Sequence, residues 1–535
     1  MKKNVRSLLA ILLVAVMLIS VLASCGKKDE TADPGTPAQP GASATPPPAD
    51  NAPPAQSDDR ELTVIISGDS GSLHPHAASA AFNDPMRHIY DAPFDPKLDG
   101  TLEWLLVSEM DTISDIQYTL HLREGVTFQN GNPFTAEDFV FSMELARDNT
   151  QFFLQVKAVD FEKTNIIDDY TVDLWLTQYD VGCFSSMMLL YMFDKESYDE
   201  VALAEKPNGT GPYVVVEYVA NSHLTVERRE DYWGGPAPIK RINFLVINEQ
   251  SQRVNAILTG DADFSDIPMK DIEFVESLGT HTIKKGNFAS SYTAYLNVTP
   301  SDSNPLGTLE ARKAVMHAID RQALVDMVLS GQSTLPAWPL SEGALDFEPR
   351  FANMSDVYST GYDPVKAKEY ADRSGLTGKS LRIITNGDAT FVAMAEVIQS
   401  NLKEIGVNAE IKNYDAATYF SLLMDESNFE IALFLLASTP SVAIDMLAMY
   451  PQFIPLGWSG PERDRYIEIG MKGLGTPDAA VRSDILYEML GIFDNNHPWF
   501  ALAEAITPSA ISNEIGGVEF YLGGSFRCWH WYFTD

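Results

Sequence analysis

From residue 61 onward the chain alternates short apolar runs with segments of helical spacing. Leu62–Ser67 (LTVIIS) reads as a strand, and so do Tyr118–Leu122, Val172–Leu176, Tyr213–Val219, His223–Arg228 and Ile242–Ile247. Each is rich in β-branched or aromatic residues and is bounded by turn-forming ones. Thr135-Ala-Glu-Asp138 has the form of a capping box. It opens a helix that sets Phe139, Met143 and Ala146 on one face. A short helix from Ser251 stops at Gly260, and a long helix is expected over about Leu309–Ser330, stopping at Gly331.

Beyond Asp363 the alternation is regular. Asp363 caps a helix, Pro364 occupies its first turn, and it ends near Gly375. Strand Leu381–Thr385, helix Phe391–Ile405 closed by Gly406, strand Val407–Lys412, helix Ala416–Met424 and strand Phe429–Leu436 follow. This order predicts an α/β unit with a parallel sheet covered on both faces. Ligands of such sheets bind beyond the carboxyl ends of the strands. Those ends lead into Asn386–Thr390 and Ala437–Asp445. The second loop carries Ser438, Thr439 and Ser441, with the carboxylate of Asp445. It reads equally as a polar contact surface and as a solvated loop whose hydroxyls cap locally.

The amino terminus is patterned differently. Lys2, Lys3 and Arg6 precede an uncharged apolar run, Leu8–Leu22, followed by Leu22-Ala23-Ser24-Cys25. The run is short for a spanning helix and suits the core of a secretion signal. The four residues resemble the bacterial lipobox, which implies a signal over 1–24 and a lipidated Cys25 as the mature end. Residues 26–60 hold eight prolines and no Val, Ile, Leu, Met or aromatic residue. Nothing there offsets the entropy of ordering, so 25–60 is expected to be a disordered tether. The membrane is then reached through the amino-terminal lipid only.

The 535 residues include 38 Lys and Arg against 74 Asp and Glu, a net charge of -36. So acidic a surface repels phosphate backbones, and no nucleic-acid partner is expected. Catalytic signatures are weak. No phosphate-binding glycine motif and no H-E-x-x-H occurs. His74 and His76 flank Pro75, but a pair without a third ligand points to a structural role before a metal site. Gly68-Asp69-Ser70-Gly71 has the form of a serine-protease nucleophile turn, yet no body precedes it to supply the His and Asp. It reads as the turn after the first strand. No cofactor, no metal and no enzymatic activity is expected.

After Cys25, Cys183 and Cys528 remain. They could pair in an oxidising compartment or stay as two buried thiols. The aromatic end, Phe526 to Phe533, is expected as a terminal strand packed into the core. Trp104, Trp233, Trp338 and Trp499 suit either a core or a ligand cleft.

Several stretches in series resemble the extracytoplasmic solute-binding proteins, family 5, of oligopeptide, dipeptide and nickel ABC importers. These are Leu62 to His76, Tyr118 to Phe128, Asn130-Gly131, Pro133 to Ser142, Asn208 to Tyr213, Asp231 to Gly235, Ala311 to Arg321 and, more loosely, Tyr362 to Ala367. The resemblance spans roughly 61–535. It implies a two-lobed periplasmic-binding-protein-like fold with a hinge. The first lobe would hold 61–285, with an extra subdomain near 96–205, and the second 286–501. Residues 502–535 would return to the first lobe. It further implies a monomer that captures an oligopeptide or similar solute between closing lobes and delivers it to ABC permease and ATPase subunits. The alternative is a same-fold sensor coupled to a membrane receptor; a secreted hydrolase ranks third.

Family placement near the cleft adds Phe82, Tyr292, Tyr295, Trp338 and Asn386 to the loop candidates Ser438, Thr439, Ser441 and Asp445. Peptide-binding members carry an Asp after the strand matching Phe429–Leu436, where it pairs with the peptide amine. Thr439 stands there instead, and neighbouring family positions fall on Leu436 and Val442. A buried ammonium without a carboxylate is costly. The resemblance therefore leaves a sugar, a blocked peptide or a metal chelate open beside a free-amine peptide.

Overall fold

The computed structural model describes residues 60–534, apart from 77–83, 98–100, 150–151, 340–349, 352–355, 424–427, 438–457 and 522–523. The chain forms two units. Among the described residues one holds 60–286 and 507–534, here the outer unit; the other, the middle unit, holds 287–506.

Strands of the outer unit follow in chain order: β1 (Glu61–Ile66), β2 (Phe94–Pro96), β3 (Leu102–Trp104), β4 (Val107–Ser114), β5 (Gln117–Leu122), β6 (Asn165–Asp168), β7 (Thr171–Trp175), β8 (Tyr213–Val219), β9 (His223–Arg228), β10 (Arg241–Val246) and β11 (Phe264–Asp266). β4 to β7 form a separate sheet in the order β4-β5-β7-β6. On β5, Tyr118, Leu120 and Leu122 are buried while their neighbours are half-exposed, as a pleated strand with one covered face requires. In the larger sheet β1 pairs in parallel with β10, from Glu61 opposite Arg241 to Ile66 opposite Val246. β9 runs antiparallel to both β10 and β8.

β12 (His281–Leu296) starts in the outer unit and ends in the middle one. There the chain adds β13 (Ser380–Thr385), β14 (Asn408–Asn413) and β15 (Ile431–Ala437), and β16 (Trp499–Ser512) carries it back. The middle unit's strand order is β14-β13-β15-β12-β16. β13 is parallel to both neighbours, as the alternating pattern predicts, and β12 is antiparallel to β15. Neither long strand shows a clean alternation in the sequence.

Local signals hold where they are strongest. The 135–138 capping box is formed: Asp138 accepts from Thr135 N at 2.8 Å, and helix Ala136–Asp148 buries Ala136, Phe139, Met143 and Ala146. Asp363 caps Pro364–Ser374, and Gly375 closes it with φ of 73°. The expected helix over 309–330 is two helices, Leu309–Ala318 and Arg321–Val328. Ile319 is extended, and Asp320 restarts the helix by accepting from Ala323 N at 3.0 Å. A capping Asp in mid-run competed with continuation and won.

The segments that carry the family resemblance form joints of the fold. Asp194 accepts from Asn130 at 2.7 Å, Asn132 at 3.0 Å, Asn208 at 3.2 Å and Ser197 at 2.5 Å. Asn130 and Asn208, far apart in sequence, meet on one carboxylate. Gly209 lies against the backbone of Ile89, where a Cβ would stand 2.1 Å from the carbonyl oxygen.

The tail departs from expectation. Only Tyr532–Phe533 is strand, and Cys528–His530 is a 3-10 turn. The reason lies in its hydrogen bonds. Phe526 N donates to Asp84 Oδ1 at 3.2 Å, and Cys528 N to His88 Nε2 at 2.9 Å. Buried side chains take the amides that a strand ladder would use. Cys183 and Cys528 are both buried free thiols, and burial raises the pKa of each.

Candidate functional site

The middle unit sets four groups near the carboxyl ends of β13 and β15. β12 runs antiparallel to β15 with Ser290 opposite Ala437 and Tyr292 opposite Leu435, so Tyr292 lies at that end of the sheet. β13 ends at Thr385, and Asn386, Gly387 and Asp388 turn the chain into helix Ala389–Glu404. Thr385 Oγ1 accepts from Gly387 N at 3.1 Å, and Asn386 Oδ1 accepts from Asp388 N at 3.1 Å. Gly387 has φ of 80°, which a side chain would strain. Asp388 Oδ1 then accepts from Thr390 N at 2.8 Å and Phe391 N at 3.4 Å, capping the helix.

Phe391, on the first turn, meets the Tyr292 ring edge-on, with centroids 5.7 Å apart. Burial, and then the charge of Asp388, push the Tyr292 hydroxyl up to about 12. Among the described residues the Tyr292 hydroxyl, Asp388 Oδ2 and Asn386 Nδ2 take part in no hydrogen bond. One acceptor with full charge, one hydroxyl and one amide donor are thus left over at a strand end.

The remaining candidates separate. Tyr295 lies three residues along β12 and so points to the opposite face from Tyr292. It packs against Phe434 at 5.2 Å and Trp499 at 5.9 Å, and burial raises its pKa. Trp338 is buried and stacks on Phe351 at 5.4 Å. Phe82, Ser438, Thr439, Ser441 and Asp445 lie outside the described residues, as does Cys25. Asp388 and Phe391 were not singled out from sequence. The signal was present: Asp388 lies in the first strand-end loop, but a helix-capping Asp already has a sufficient local reason to exist.

The other suggestive motifs serve the fold. His74 Nδ1 accepts from His76 N at 3.0 Å, and His74 Nε2 lies 3.3 Å from the Tyr198 hydroxyl. His76 stacks on Phe152 at 4.6 Å, and burial, with the neighbouring His74, lowers its pKa to about 3. Among the described residues no group of three His, Cys, Asp or Glu side chains could hold a metal ion. Asp69 follows the first strand and accepts from the Tyr218 hydroxyl at 3.0 Å and from Asn221 N at 3.0 Å. Trp233 donates to the buried Asp91 at 3.0 Å, with the Arg123 guanidinium 4.2 Å over its ring.

Comparison with known proteins shows the family. Residues 103–452 match the model of the bacterial extracellular solute-binding proteins, family 5 middle. The nickel-binding periplasmic protein of Escherichia coli is 25% identical over 395 residues, covering 68% of this chain and 73% of its own. The oligopeptide-binding protein OppA of Bacillus subtilis is 23% identical over 487 residues, covering 82% and 86%. Among solved structures, the ABC transporter substrate binding protein CtaP of Listeria monocytogenes superposes with a TM-score of 0.79 at 21% identity. It covers 90% of this chain and 100% of its own. At that identity the structural likeness is one of fold, the two-lobed α/β periplasmic-binding-protein type.

Proposed function

Because this chain belongs to the bacterial extracellular solute-binding proteins of family 5, the receptor class of ABC importers, we propose that it captures an oligopeptide or similar small solute and hands it unchanged to a membrane permease. The observation that carries this reading is the strand end of the middle unit. Tyr292 packs against Phe391 there and Asn386 opens the loop after β13, and among the described residues the Tyr292 hydroxyl and Asn386 Nδ2 take part in no hydrogen bond. Such leftover valences suit recognition. A hydrolytic reading would need a nucleophile and base, or a pair of carboxylates flanking a bond, and among the described residues the Asp388 carboxylate bonds only the amides of Thr390 and Phe391.

Binding energy would act by favouring the conformation that holds the solute, and the permease would read that conformation. Cys25 would carry the lipid anchor, with 26–60 as its leash and the body working as a monomer outside the cytoplasm. Ser438, Thr439, Ser441 and Asp445 stand as further contacts from the second strand-end loop, with Phe82, Tyr295 and Trp338 proposed from family placement. The test is native mass spectrometry of the chain as purified. The reading expects a small solute that leaves on activation with its mass unchanged over hours of incubation. Steady conversion of that solute into a product would overturn it.

A further inference from the structure

The chain contains three Asn-Gly pairs: Asn130-Gly131, Asn208-Gly209 and Asn386-Gly387. In such a pair no side chain shields the glycine nitrogen, which can attack the carboxamide carbon before it. The fold treats the three pairs differently. Asn130 Nδ2 donates to Asp194 Oδ2 at 2.7 Å and to Ser197 Oγ at 3.1 Å, and Gly131 N donates to the Phe128 carbonyl at 3.0 Å. Asn208 Nδ2 donates to the same two groups, each at 3.2 Å, and Gly209 lies buried against Ile89. In both pairs the nitrogen that deamidation must expel is tied to a carboxylate.

The third pair is open. Asn386 Nδ2 takes part in no hydrogen bond among the described residues, and Gly387 is exposed. Gly387 N donates only to a hydroxyl, Thr385 Oγ1 at 3.1 Å, which itself donates to Asn413 Oδ1 at 2.9 Å. Asn386 Oδ1 accepts from Asp388 N at 3.1 Å. That N–H sits on the oxygen where negative charge develops when the carboxamide carbon is attacked. Asn130 shares this last feature, with Oδ1 accepting from Asn132 N at 2.9 Å. The leaving nitrogen is therefore what separates the two.

We propose that Asn386 is a modification site, deamidated in the folded chain ahead of Asn130 and Asn208. Gly387 N gives its proton to hydroxide and bonds to Asn386 Cγ. The Cγ–Nδ2 bond breaks, and Nδ2 takes a proton from water and leaves as ammonia. Water then opens the succinimide ring. Attack at Cγ gives aspartate, and attack at the main-chain carbonyl gives isoaspartate. The net change is carboxamide plus water to carboxylic acid plus ammonia. Either product sets a new carboxylate two residues from Asp388. The inference goes beyond the receptor reading and does not depend on it.

The test is a time course of the full chain in mildly alkaline buffer, with peptide mapping by mass spectrometry at all three pairs and a parallel course in denaturant. In the folded chain Asn386 should convert at least about tenfold faster than Asn130 or Asn208, since a hydrogen bond to a charged acceptor restrains each of those. In denaturant the three rates should converge. Asn386→Ser should abolish the fast phase of ammonia release. Equal rates in the folded chain, a slower Asn386, or a fast phase that survives Asn386→Ser would overturn the proposal.

Discussion

In the outer unit Asp95 accepts from Arg87 Nη1 at 2.9 and 3.0 Å and from Arg527 Nε at 2.8 Å, and all three residues are buried. Among the described residues of the middle unit the exposed Asp388 accepts only the amides that begin its own helix. Both are aspartates facing polar groups, yet one is consumed by the fold and the other keeps a free oxygen. The first cluster draws in Asp84, Asp91 and His88 and clamps residues 526–528 of the tail to the segment 84–95. Its charges are paired because burial leaves them no alternative. The second stands where water still solvates the carboxylate, so the fold can leave it unpaired at little cost. Charge density alone does not mark a site; leftover valence does.

The comparison is broken most sharply at Asp95. Asp95→Asn leaves two buried guanidinium groups short of a carboxylate and should cost about 3–5 kcal/mol, read by urea or thermal unfolding. A neutral result would mean that the tail clamp contributes little. Gly209→Ala tests the same region through backbone contact. Its Cβ would meet the Ile89 carbonyl, between Arg87 and Asp91, and the strain should cost about 1–3 kcal/mol, seen as a lower midpoint of denaturation.

A pH experiment sharpens the contrast. Burial raises Asp84 to about 7, whereas burial lowers His88 to about 3. The hydrogen bonds agree for His88: Nε2 accepts from Cys528 N, so Nδ1 carries the proton and donates to the Asp84 carbonyl at 2.9 Å. Between pH 4 and 7 the unfolded Asp84 has lost its proton and the folded one has not. Its contribution to stability therefore falls as pH rises through that window. His88 works the other way, stabilising as pH rises toward 6.5. In Asp84→Asn only the His88 slope remains, so the variant's stability relative to the parent should climb from pH 4 to 7. A difference independent of pH would show that Asp84 is ionised throughout. The smallest effect is expected at Tyr292→Phe, within about 0.5 kcal/mol of the parent, since the lost hydroxyl leaves no partner unsatisfied.

The parts legible in the sequence are those decided locally. Asp363, Pro364 and Gly375 bound their helix, and strands Tyr213–Val219 and His223–Arg228 run as read. The misjudged parts depend on distant partners. β12 and β16 are made by pairing across the chain, and the tail takes its shape from Asp84 and His88, more than four hundred residues away. The helix break at Ile319 was local but ambiguous, because Asp320 sits equally well on an exposed face. Among the site candidates, Asn386 and Tyr292 both came from family placement, and the strand-end rule reached the loop that begins at Asn386. Asp388 was hidden by its capping role, and no one-dimensional pattern tells which oxygen of a capping carboxylate stays free.

The division between consumed and available charge is tested most directly by thermal unfolding of Asp95→Asn and Asp388→Asn side by side. The account predicts a midpoint lowered by roughly 10 °C for Asp95→Asn, and one within about a degree of the parent for Asp388→Asn. Equal losses in the two variants, or a larger loss for Asp388→Asn, would contradict it.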